Sequence, residues 1–178
     1  IKNGAVHIEP WDEHAVQVNC EARVYKVQSE DEAYRRFMKN TRFEIKNDTL
    51  IFACEVNDMK VNATIYLPRK TYDDIEVRMF NGQISGSGLF TDDLNIKSVN
   101  GNLSFPNLQA KKAELETGNG TITVAGHADE IELETLNGAV DAAGAFRDLH
   151  VETFSGLVKA DLSSAEAVSL RSTTGSID

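Results

Sequence analysis

From Tyr72 to Asp178 the apolar residues of this chain recur in columns rather than at helical spacing. Counting back seven residues from a series of glycines gives Ile75, Leu94, Ala113, Ile131, Leu149 and Val168. Counting back five gives Val77, Ile96, Leu115, Leu133, Val151 and Leu170. Two residues after each glycine stand Ile84, Leu103, Ile122, Val140, Val158 and Ile177. Apolar positions that alternate with polar ones define the inward face of a β-strand. The glycines are Gly82, Gly101, Gly120, Gly138, Gly156 and Gly175, spaced 19, 19, 18, 18 and 19 residues apart. Asn81, Asn100, Asn119 and Asn137 precede the first four, so each unit ends in a turn dipeptide.

A period near 19 residues is too short for a helical hairpin repeat. Extended at about 3.3 Å per residue it encloses a coil of roughly 60 Å contour, enough for three short sides around a core. The pattern therefore predicts an all-β fold, a parallel β-helix whose coils pair backbone to backbone. The glycine is expected to supply a positive-φ corner, with asparagine the next best residue for that geometry, so the Asn-Gly ladder reads as structural. Three residues before each glycine stand Met79, Ser98, Thr117, Thr135, Thr153 and Ser172, where hydroxyls at a strand end can stack.

A solenoid needs its end coils capped. Residues 1–71 read as that cap and residues 72–178 as the repeat coils, together one domain. Asn3-Gly4-Ala5-Val6 repeats Asn137-Gly138-Ala139-Val140, which places a first strand in the stack. Ser29-Glu30-Asp31-Glu32 is a capping box ahead of Ala33, Tyr34, Phe37 and Met38, predicting one amphipathic helix of about ten residues. Arg42 to Val56 alternates around Asn47-Asp48 as a hairpin, and Val61 to Leu67 forms a strand closed by Pro68. The chain begins at Ile1 and stops in mid-repeat, which reads as a fragment of a longer protein. The last coil is then expected to leave an unpaired edge, a route to a homodimer.

Charge sharpens the picture. Residues 1–72 hold 11 acidic and 11 basic side chains, whereas 73–178 hold 17 and 7, so the whole net charge of -10 lies on the coils. That argues against nucleic acid, whose phosphates would be repelled, and favours solvation or a cationic partner. No apolar run reaches the roughly 18 residues of a membrane span. Cys20 and Cys54 fall in phase with apolar neighbours and read as buried thiols, a usage that leans toward a reducing, cytoplasmic compartment over the envelope or surface.

The tandem Asn-Gly coils, the opening Asn3-Gly4-Ala5-Val6-His7-Ile8-Glu9-Pro10-Trp11 and the strand ending Ile65-Tyr66-Leu67-Pro68 together resemble the bacterial "putative adhesin" β-strand-repeat family, which includes YvlB-like and LiaX-like proteins. The resemblance covers nearly the whole chain. It implies a single-stranded right-handed β-helix without known enzymatic activity, linked to the cell-envelope stress response and, in LiaX-like members, to membrane-active cationic peptides. It carries over no catalytic or binding residue.

Candidate chemistry lies on the outward columns. Six residues before the glycines stand Glu76, Asn95, Glu114, Glu132, His150 and Ser169; four before stand Arg78, Lys97, Glu116, Glu134, Glu152 and Arg171. Stacking would set Glu114, Glu116, Glu132, Glu134 and Glu152 about one strand spacing apart, roughly 4.8 Å, where like charges raise one another's pKa or recruit a cation. Such a ladder reads as a solvated face, as a site for a basic peptide or protein partner, or as a divalent-metal or catalytic site, in that order. His7, His14, His127 and His150 have no zinc-motif spacing, so no metal, cofactor or catalytic residue is assigned. The expected function is a non-enzymatic interaction scaffold. The alternatives are a surface adhesin or glycan binder, which would expose aromatics along one face, and a carbohydrate-active enzyme.

Overall fold

The computed structural model of the protein describes residues 1–46, 49–54 and 57–178. It is a parallel β-solenoid of about five turns. Strands β6 (Tyr72–Gly86), β7 (Phe90–Asn100), β8 (Leu103–Asn119), β9 (Ile122–Asn137), β10 (Val140–Ser155), β11 (Val158–Ser164) and β12 (Ala167–Thr174) wind into the coils. Strands of 15–17 residues exceed the usual flat strand because they continue around a corner. The register follows the repeat: Ile96 lies beside Leu115, Leu115 beside Leu133, and Leu133 beside Val151.

The three apolar columns form one continuous core, with Ile84, Ile96, Leu115, Ile122, Leu133, Val140, Val151 and Val158 fully enclosed. Each such side chain contributes roughly 1.5–3 kcal/mol by leaving water. Large and small residues meet across neighbouring coils at some positions, as where Phe146 lies beside Ala128. The columns lose cover in the last coil, where Val168 and Ile177 are exposed.

The corner is built differently from the turn that the dipeptides suggest. A methyl group on Gly82, Gly101, Gly120, Gly138, Gly156 or Gly175 would overlap the carbonyl oxygen of the glycine one coil below. Gly82, Gly120, Gly156 and Gly175 have the expected positive φ, but Gly101 and Gly138 do not, so close approach is the constraint that all six share. None of the ladder asparagines has positive φ, which corrects the expectation that asparagine serves there as a substitute glycine. Their role is a side-chain amide chain: Asn81 Nδ2 donates to Asn3 Oδ1, Asn100 to Asn81 and Asn119 to Asn100, each at 2.8 Å, and Asn137 to Asn119 at 2.9 Å. The buried hydroxyls do not stack on one another. Thr117, Thr135, Thr153 and Ser172 donate at 2.9–3.3 Å to the glycine carbonyls of the coil below.

At the other end β1 (Asn3–Trp11) runs parallel between β5 (Met59–Pro68) and β6, with Asn3 beside Asn81 and Gly4 beside Gly82, so it belongs to the stack. Strand β2 (Gln17–Val24) closes this end antiparallel to β5. Helix α1 (Glu30–Asn40) starts where expected, with Ser29 Oγ accepting from the Glu32 amide at 3.2 Å. Its apolar stripe is split: Phe37 packs on the small cluster of Cys54, Met59 and Val61, while Tyr34 and Met38 face solvent. Strands β3 (Thr41–Lys46) and β4 (Thr49–Cys54) pair as the predicted hairpin, whose Asn47-Asp48 turn and Val56 end lie outside the described residues. Cys54 is buried, but Cys20 is exposed on β2, which corrects the expectation of two buried thiols; both are free.

Gly138→Ala is expected to lower the unfolding free energy by about 3 kcal/mol or more, since a backbone clash inside the stack cannot relax locally. Asn100→Ala, which removes two half-exposed amide bonds, should cost only about 1 kcal/mol. Urea denaturation of the two variants checks the ranking.

Candidate functional site

The segments that end at the glycine corner present one side of the solenoid to solvent. Because inward and outward positions alternate, the residues six, four and two before each glycine share this face. The register brings the predicted carboxylates together. Glu114 and Glu116 on β8 lie beside Glu132 and Glu134 on β9, and Glu134 lies beside Glu152 on β10.

The ladder is less uniformly acidic than its sequence implies. Lys97 reaches Glu114 at 2.5 Å and Glu116 at 3.1 Å, and Asn95 donates to Glu114 at 2.9 Å. Glu76 pairs with Arg78, and Glu152 with Arg171 at 3.6 Å. The next column outward is likewise paired, Lys112 lying 3.1 Å from Glu130. Among the described residues, Glu132 and Glu134 have no basic side chain in ion-pair contact. The two carboxyl groups are instead within hydrogen-bonding reach of each other. Partial burial, then the charges of Glu132 and Glu116, and then that hydrogen bond and Glu152 push the Glu134 pKa above the ordinary glutamate value. Lys97 is shifted upward chiefly by its bonds to Glu114 and Glu116.

Two features of this face were missed. His150 lies beside Glu132 in register, and ligand atoms of Glu132, Glu134 and His150 all fall within 4.8 Å of one another. A search for zinc spacing along the sequence cannot find a group joined across coils. The second feature is apolar. Two residues before the glycines, Phe80, Val99, Leu136 and Phe154 are exposed, the run being interrupted at Gly118. Extending the same alternation by one step beyond the columns six and four before the glycines, which carry no aromatic, finds it. Trp11 stacks on Tyr66 at 5.3 Å and donates to the Ala15 carbonyl at 2.8 Å, fixing the rim beyond β1.

Raised in the folded state, Glu134 takes up a proton on folding between the ordinary glutamate range and its shifted value. Its contribution to stability therefore falls as pH rises through that window, and the penalty is complete above it. Glu134→Gln is expected to be more stable than the native protein at neutral pH. The gain should be ~0.5 kcal/mol or less after solvent screening, and should vanish below the ordinary glutamate pKa of 4.5. Thermal unfolding of both proteins across this pH range is the measurement.

Comparison with known proteins places the chain. The "Uncharacterized protein YvlB" of Bacillus subtilis (strain 168) is 39% identical over 89 residues, covering 50% of this chain and 24% of that protein. The chain thus spans about a quarter of that relative's length. A crystal structure of a "putative adhesin" from Bacteroides fragilis aligns with 99% of this chain and 88% of its own, at a TM-score of 0.41 and 15% identity. The family model described as Toastrack DUF4097 matches residues 2–178, and the chain belongs to that family.

Proposed function

We propose that this chain is a non-enzymatic interaction scaffold whose outward face docks a basic, partly apolar peptide or the basic segment of a protein partner. The observation that carries the reading is the pairing of two kinds of column on one face. Carboxylates from Glu114 to Glu152 run beside the exposed Phe80, Val99, Leu136 and Phe154. A peptide with lysine or arginine along one edge and leucine along the other meets both, gaining charge-assisted hydrogen bonds and burying exposed apolar surface. Charge alone would be weak, since solvent-exposed ion pairs contribute at most about 1 kcal/mol each. The link to envelope stress rests on the resemblance to LiaX-like proteins. A glycosidase reading is disfavoured because Glu132 and Glu134 stand on the same outward face of one strand, whereas the two carboxylates of a glycosidase flank the scissile bond across a cleft. Exposed Phe80 and Phe154 keep a second reading in play, an adhesin that stacks sugars. Against it, the intervening Val99, Gly118 and Leu136 break any aromatic platform.

Fluorescence anisotropy with a labelled amphipathic lysine-leucine peptide tests the first reading. Glu116→Gln, Glu134→Gln and Glu152→Gln combined are expected to weaken binding by at least about tenfold, as is the pair Leu136→Ser and Phe154→Ser. Unchanged affinity in both variants would refute it. Retention on a neutral polysaccharide column that is lost with Phe80→Ala and Phe154→Ala would favour the adhesin reading.

A further inference from the structure

We propose that Glu132, Glu134 and His150 form a binding site for a borderline divalent transition-metal ion, for which Zn²⁺ is the natural probe. The imidazole separates this group from a plain acidic cluster. Two glutamates two residues apart on β9 point outward together, and His150 projects from the adjacent β10 directly beside Glu132. Ligand atoms from all three lie within 4.8 Å of one another. Tetrahedral coordination at about 2.1 Å places donors about 3.4 Å apart, a contraction that the glutamate side-chain torsions can supply.

The charge balance points the same way. Neighbouring carboxylates each have a basic side chain in contact: Glu114 and Glu116 share Lys97, Glu130 has Lys112, and Glu152 has Arg171. Glu132 and Glu134 are left facing each other with no cation in contact among the described residues, and no side chain there hydrogen-bonds the His150 ring. Two carboxylates and a neutral imidazole make a donor set of net charge about −2, which one divalent cation balances. The mixed oxygen and nitrogen donors suit Zn²⁺ and its first-row neighbours better than Mg²⁺ or Ca²⁺, which prefer all-oxygen shells. Glu132 and His150 line a depression with Asp148, Val168 and Ser169, which leaves room beside them for water or a ligand on a partner as a further donor.

The test is isothermal titration of Zn²⁺ into the chain carrying Cys20→Ser, which removes the exposed thiol as a competing ligand, with no peptide present. It therefore stands or falls independently of peptide docking. One Zn²⁺ per chain is expected, with a raised melting temperature because the ion binds only the assembled site. His150→Gln and Glu134→Gln should each weaken binding by at least about tenfold while leaving the circular dichroism unchanged. Neither substitution touches the core, and Glu134→Gln relieves repulsion, so loss of fold does not confound the result. Absence of saturable stoichiometric binding would overturn the proposal. So would binding that neither variant weakens, or Mg²⁺ binding as tight as Zn²⁺ and indifferent to His150, which would mark a diffuse counterion atmosphere only.

Discussion

The constraint on which the rest depends is the approach of backbone to backbone at one corner of every coil. A column of glycines runs up the solenoid, each packed against the carbonyl of the glycine below so closely that a β-carbon has no room. The hydroxyls of Thr117, Thr135, Thr153 and Ser172 satisfy those carbonyls from the inside, and the asparagine amides link the coils from the flank. Ser98 is the exception, its hydroxyl buried without a partner where Met79 occupies the equivalent position one coil below. This corner sets the phase of the winding. A slip of one residue would exchange inward and outward faces along the whole coil.

Phase is what turns sequence columns into a surface. Once the corner holds, every residue six, four or two positions before it stands in a vertical file about 4.8 Å from its equivalent in the next coil. Isolated charges in the sequence thereby become a lattice in which Lys97 serves two glutamates from one neighbouring strand, and in which Glu132 and Glu134 are left to each other. The same arithmetic brings His150 to them. Both the proposed peptide face and the proposed metal site would be consequences of the winding rather than of a loop built for the purpose.

Much of this was legible in the repeat. The glycine spacing gave the coil length, the three apolar columns gave the core, and Asn3-Gly4 correctly placed β1 in the stack. What failed did so for physical reasons. Asparagine was read through its tolerance of positive φ, whereas its amide, able to donate and accept at once, is what a ladder uses. Val168, Ile177 and Cys20 follow the apolar pattern yet are exposed, because alternation shows which face a side chain takes and not whether another element covers it. His150 looked solitary because the sequence separates it from Glu132 by a whole coil, while the sheet puts them side by side.

Native-state hydrogen exchange at the corner tests the account most directly. The amides of Gly101, Gly120, Gly138 and Gly156 each donate at 2.9–3.0 Å to a carbonyl in the coil above, as core amides such as Ile122 do. If the glycine column is the element that holds the winding, these amides should exchange only with the free energy and urea dependence of the core amides. Rapid exchange at the glycines while Ile122 and Val140 remain protected would show the corners to be ordinary turns that open on their own, and would contradict the account.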